Sequence, residues 1–194
     1  DHRDLHSFPT RRSSDLYDRD LAEHHFWKQS NRLVRGPKLW ETLRARRPGF
    51  TCAKLFWWYN LYSSADWSIT PRPMYPADGR KIFDVMSHPL GIRDAIKRDL
   101  GEFPFPAFWG PAAGIASSEW IARSAEWIEE RHRPDLALVY LPHLDYNLQR
   151  LGPDDPRIAD DARAIDRVAD GRETVRIANG HPFLTRVTDR KSVV

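Results

Sequence analysis

Cysteine is nearly absent from this chain: Cys52 is the single one in 194 residues. One thiol excludes an internal disulfide framework and a cysteine-rich zinc site. The position reads as a small buried hydrophobe. Long apolar runs are missing as well. None approaches the ~18 residues that a membrane-crossing helix needs, so no membrane partner is expected. The opening stretch DHRDLHSFPTRRSSDL has no apolar centre and does not read as a secretory signal. A broad excess of positive charge is also lacking. The formal net charge is +3. Arg172, Arg176, Arg186, Arg190 and Lys191 against Glu173 and Asp189 account for all of it. A basic tail is not a basic groove lined with stacking aromatics, so no nucleic-acid partner is expected.

What is present is enough apolar material for a core. Hydrophobic residues make up 41% of the chain and aromatics 12%, and the length suits one domain or a large part of one. Pro37 followed by KLWETLRARR reads as a helix, stopped by Pro48-Gly49. Residues 50–59, FTCAKLFWWY, read as a buried strand, and 67–70 as a short one. The stretch TPRPMYPADGRK is too proline-rich for an interior strand or helix. A second helix is expected over 90–100, ended by Gly101, followed by a rigid aromatic loop, FPFPAFWGP. Ser117 or Ser118 is expected to cap a third helix with Glu119 in its first turn. Trp120, Ile121, Ser124, Trp127 and Ile128 recur at helical spacing along it. A strand over 136–141 and a helix over 156–168 complete the pattern. Strands alternating with helices predict an α/β fold with a mainly parallel sheet.

The chemistry concentrates in residues 134–153, PDLALVYLPHLDYNLQRLGP. An apolar strand stops at Pro142, and Asp145 follows. In open α/β sheets ligands bind past the carboxyl ends of the strands. A carboxylate there suits a metal ligand or general base, or else the cap of a short turn or helix through Tyr146 and Asn147. Were the strand period to run through Pro142, His143 and Asp145 would face one way.

Other polar positions carry weaker signals. His24-His25 suit a surface more than chelation of one ion. Ser63, Ser64 and Thr70 lack a neighbouring base. Arg72 and Arg80 read as loop arginines with a geometry suited to phosphate. The Trp57-Trp58-Tyr59 cluster suits core packing or stacking on a base. Asp66 and Asp78 read as turn residues.

The string Asp145, Tyr146-Asn147-Leu148, Gln149, Arg150-Leu151, Gly152-Pro153 resembles a motif of the type I phosphodiesterase/nucleotide pyrophosphatase group of the alkaline phosphatase superfamily. HHFWKQSNRLV, the long block from KLWETLRARR to PADGRK, and FWGPAAGIASSEWIA extend the likeness over residues 17–168. The resemblance implies a partial α/β/α sandwich and two zinc ions. It also implies attack by a Thr or Ser on a phosphate ester or nucleotide-like substrate. It places Asp145 on a zinc-ligand aspartate and Gln149 where a ligand histidine stands, which implies weakened metal binding. His143 is a possible substitute ligand.

The nucleophile and the remaining ligands are not matched, and His181 has no aspartate just before it. LHSFPTRRSSDL and DRKSVV resemble translated sequencing adapters. The expected division is therefore a tail over 1–16, a partial domain over 17–168 and a divergent tail over 169–194. The chain then reads as an inactive piece of a metal-dependent phosphoric ester hydrolase. Two competing readings are a non-catalytic binding or scaffold domain of the same fold, and a carbohydrate binder using some of the eight tryptophans.

Overall fold

A computed structural model describes residues 16–19, 22–25, 29–74, 76–170, 176–177 and 183–187. The adapter-like ends lie mostly outside these residues, and His181 lies outside them. A short antiparallel ribbon pairs β1 (Leu16–Asp18) with β2 (Glu23–His25). The main sheet is built around β3 (Cys52–Leu55), flanked in parallel by β4 (Trp67–Pro71) and β6 (Leu136–Tyr140). β5 (Val85–His88) joins β4 antiparallel. These four strands form the mostly parallel block that the alternating pattern predicts. β8 (Phe183–Val187) and β7 (Arg176–Ile177) extend it antiparallel, in the order β5-β4-β3-β6-β8-β7.

Helices cover both faces. α1 (Leu39–Arg46) lies on one, where Trp40 packs with Cys52, Leu136 and Leu138. α2 (Gly91–Leu100) and α3 (Ile115–His132) lie on the other, joined by α4 (His143–Leu151) and α5 (Arg157–Asp170). The period-two alternation of β3 and β6 explains the two cores: Ala53, Leu55, Ala137 and Val139 point to the α3 side. The helical stripe of α3 answers them, with Trp120, Ile121, Trp127 and Ile128 all buried. Gly101 ends α2 at φ +80°, a conformation that a residue with a Cβ rarely adopts.

Several boundaries differ from the sequence reading. The strand expected over 50–59 stops at Leu55. Phe56 and Tyr59 turn left-handed, at φ 55° and 52°. Tertiary contacts fix both turns. The Phe56 ring joins Phe103, Phe108 and Trp120, and Tyr59 N donates to Gln29 Oε1 at 2.8 Å. Thr70 and Pro71 complete β4, which is an interior strand. Pro71 is tolerated as its last residue, and the ladder passes to Arg72 N, which donates to Asp84 O. Ser117 and Ser118 do not cap α3, which starts at Ile115 after Gly114. Both serines are fully buried inside the helix. Residues 143–151 form a helix, not a continued strand.

Candidate functional site

The carboxyl ends of β3, β4 and β6 point the same way, because both pairings are parallel. Residues 56–62, the hairpin after β4 and the start of α4 therefore gather at one end of the sheet. Asp145 lies in the first turn of α4 and is half-buried. Its carboxylate accepts a hydrogen bond from the hydroxyl of Tyr140, the last residue of β6. Burial and the neighbouring Asp145 carboxylate push the Tyr140 phenol well above its ordinary range, so it stays a donor. The Trp58 ring, 37% exposed, lies 6.1 Å from that of Tyr140.

Gln149 stands one helical turn after Asp145 and is exposed. Residues four apart share a helix face, so the two resemblance-derived positions are neighbours. His143 is not a third member. The helix turns it inward, 6% exposed, with Nε2 3.3 Å from Asp161 on α5. Burial lowers the His143 pKa and favours the neutral ring. Asn147 also donates to Asp161, at 2.7 Å. Tyr146 shares a hydrogen bond with Ser117, and His143 N donates to Ser118 Oγ. α4 is thus fastened to α3 and α5 by small polar contacts, and its first turn carries Asp145 past the sheet.

The remaining candidates disperse. Asp66 accepts from Arg44 and from Cys52 N, a structural role at the opposite end of the sheet. Asp78 pairs with Arg80 within its own loop. Arg72 is exposed against Met86. Ser64 accepts from the Trp40 indole and donates to Glu41. Thr70 is 2% exposed and no base stands beside it among the described residues. Cys52 is fully buried, and burial pushes its thiol up to about 12. For His24 and His25 the structure describes the β2 backbone alone.

Among the described tryptophans only Trp58 and Trp109 are exposed, while Trp40, Trp120 and Trp127 are core. That removes a carbohydrate face built on the buried three. One position that the sequence reading passed over is Lys54, 1% exposed in the middle of β3. Its signal was a lone cation inside the apolar run FTCAKLFWWY.

A family model for type I phosphodiesterase / nucleotide pyrophosphatase matches residues 13–171. The chain belongs to this family. It is therefore part of the alkaline phosphatase superfamily, a group of metallo-hydrolase type acting on phosphate esters and nucleotides. The mixed, mostly parallel four-strand block with its helices agrees with that fold. No curated protein and no solved structure matches the chain.

The donor set does not fit a catalytic metal. Zinc at a catalytic site takes three protein ligands. Among the described residues no three His, Cys, Asp or Glu side chains converge. Asp145 is bonded to Tyr140, and Gln149 offers a neutral amide. No helix among the described residues is long and apolar enough to cross a membrane.

Proposed function

We propose that this domain derives from a metal-dependent phosphodiesterase and that the chain by itself turns over no phosphodiester. Asp145 is the surviving metal-ligand position, and Gln149 stands where a histidine would complete the pair. The observation that carries this reading is Asp145 at the carboxyl end of a parallel strand, inside a chain of this family, with the amide of Gln149 one helical turn along the same face. Two oxygen donors fall short of a catalytic zinc site. Among the candidate hydroxyls, Ser63 and Thr70 have no hydrogen-bond partner among the described residues, and the one that donates to a carboxylate, Ser64 to Glu41, belongs to the α1 contact rather than to the Asp145 end of the sheet.

Exposed Trp58 beside Tyr140 and Asp145 supports retention of a phosphate ester or nucleotide-like ligand at this end of the sheet. The Gln149 substitution favours a second reading, a binding domain that keeps the ligand and has lost the chemistry.

The test is hydrolysis of a nitrophenyl phosphodiester with and without added zinc. The expected result is no release of nitrophenolate above the buffer rate. Turnover that disappears in Asp145→Ala would overturn the proposal. Nucleotide binding without turnover, weakened in Trp58→Ala, would select the binding reading.

A further inference from the structure

Residues 56–62 pass three times through the left-handed region: Phe56, Tyr59 and Tyr62 stand at φ 55°, 52° and 58°. Glycine takes such a conformation freely, whereas a bulky residue persists there only where its surroundings over-determine it. Buried amides do so here. Gln29 Oε1 accepts from Tyr59 N at 2.8 Å, and Asn31 Nδ2 donates to Tyr59 O at 2.8 Å. Both amide side chains belong to buried residues. The same segment holds Leu61, whose N donates to Gln29 O at 2.9 Å and whose O accepts from Asn31 N at 2.8 Å. Between the two, Asn60 is 1% exposed. Its Nδ2 donates to Lys54 O and to Ile69 O, each at 3.0 Å. Asn60 therefore bridges β3 and β4 near their carboxyl ends.

On the other side of the turn, Phe56 N donates to Ile69 O at 2.8 Å and the Phe56 ring is buried in the aromatic cluster. The turn is thus anchored before and after Trp58, and the Trp58 indole is left exposed. That indole meets Tyr140, whose hydroxyl donates to Asp145.

We propose that Gln29, Asn31 and Asn60 are positioning residues, which fix the turn so that the Trp58 indole stands as a rigid wall beside Tyr140 and Asp145. That this wall meets the base of a nucleotide rests on the function proposed above; that the amides place it does not.

Two near-isosteric variants of the whole chain separate placement from general stability. Gln29→Glu keeps an acceptor for Tyr59 N, whereas Asn31→Asp removes the donor to Tyr59 O. Each puts a carboxyl group in a buried position. Indole N–H resonances are followed by NMR in isotope-labelled protein, with that of Trp58 assigned from its loss in Trp58→Phe. In Asn31→Asp the Trp58 resonance is expected to shift or broaden. Those of Trp120 and Trp127, which donate to Gly101 O and Asp99 Oδ2, are expected to stay. In Gln29→Glu all three should stay. Binding of AMP and of ribose phosphate gives the second readout. A stacked base should favour AMP about tenfold in the parent and in Gln29→Glu, and by less than about twofold in Asn31→Asp. That ratio, unlike either affinity, does not depend on the fraction of chain folded.

A Trp58 resonance unchanged in Asn31→Asp overturns the proposal, as does one that moves together with those of Trp120 and Trp127. So does an AMP preference of parent size in Asn31→Asp. A Trp58 resonance that moves alone, in a chain whose parent binds neither ligand, upholds the placement and overturns the nucleotide reading instead.

Discussion

The two ends of the parallel strands use their carboxylates in opposite ways. At the amino end, Asp135 accepts from Arg47 at 2.7 Å and from both Thr51 N and Thr51 Oγ1. Asp66 does the same work between β3 and β4, taking Arg44 and Cys52 N. These acids tie strand to strand. At the carboxyl end, Asp145 takes the hydroxyl of Tyr140 and ties no second strand. Around it the backbone is strained, with Phe56, Tyr59 and Tyr62 at positive φ. Buried Asn60 Oδ1, Thr70 Oγ1 and His143 Nδ1 have no hydrogen-bond partner among the described residues. Strain and unmet polar capacity concentrate where ligands bind. The lesson is that the acids of one end are spent on stability, while the other end carries strained turns and unmet polar groups.

That contrast is open to attack by substitution. The largest effect is expected at Asp135, which is 5% exposed. Asp135→Ala strands a buried amide and a hydroxyl, and should cost about 3 kcal/mol in a urea melt. An effect under about 1 kcal/mol would dissolve the distinction between the ends.

Lys54→Met comes next, with the opposite sign. Replacing a buried charge that has no ion pair among the described residues by an apolar chain of similar length should stabilise the protein by about 2 kcal/mol at pH 7. Its pH dependence has a definite sense. Burial lowers the Lys54 pKa from 10.5 to about 8. The unfolded chain therefore holds this proton at higher pH than the folded one, and stability rises as pH climbs above about 8. Cys52 opposes this beyond its ordinary 9.0, because its folded pKa is raised to about 12. A gain of about 1 kcal/mol between pH 8 and 9 is expected in the parent and none in Lys54→Met. Parallel curves for the two proteins would show that Lys54 is not the source.

Asp145→Asn should cost about 1 kcal/mol or less, since Tyr140 can still donate to an amide oxygen. A loss as large as that of Asp135→Ala would make Asp145 a structural acid and remove it as a ligand position. The smallest effect belongs to Trp58→Ala. The exposed ring should cost under about 1 kcal/mol, while nucleotide binding falls; a large loss of stability with unchanged binding would return Trp58 to the core.

Much of the fold was legible because its signals are local. The helical stripe of α3, the apolar run of β6, and the turn glycines at 49 and 101 all follow from side-chain periodicity and backbone sterics. The errors fell where distant residues decide the backbone. FTCAKLFWWY has strand composition throughout, yet Gln29, Asn31 and the aromatic cluster bend it after Leu55. At residues 143–151 the sequence leaves two readings open, a strand period carried through Pro142 and a short turn or helix through Tyr146 and Asn147, and the structure takes the helix. His143 then turns inward toward Asp161, a partner eighteen positions away that spacing cannot reveal.

The sequence by itself determined the family, the alternation of strands and helices, and the position of Asp145 after an apolar strand. Each rests on residue identity or short-range periodicity. The tertiary structure alone decided what surrounds those residues. It set Asp145 against Tyr140 and buried Lys54 over Trp40 with no ion pair among the described residues. Such pairings depend on which strands lie side by side, and the register of a parallel sheet is fixed by packing across the whole molecule.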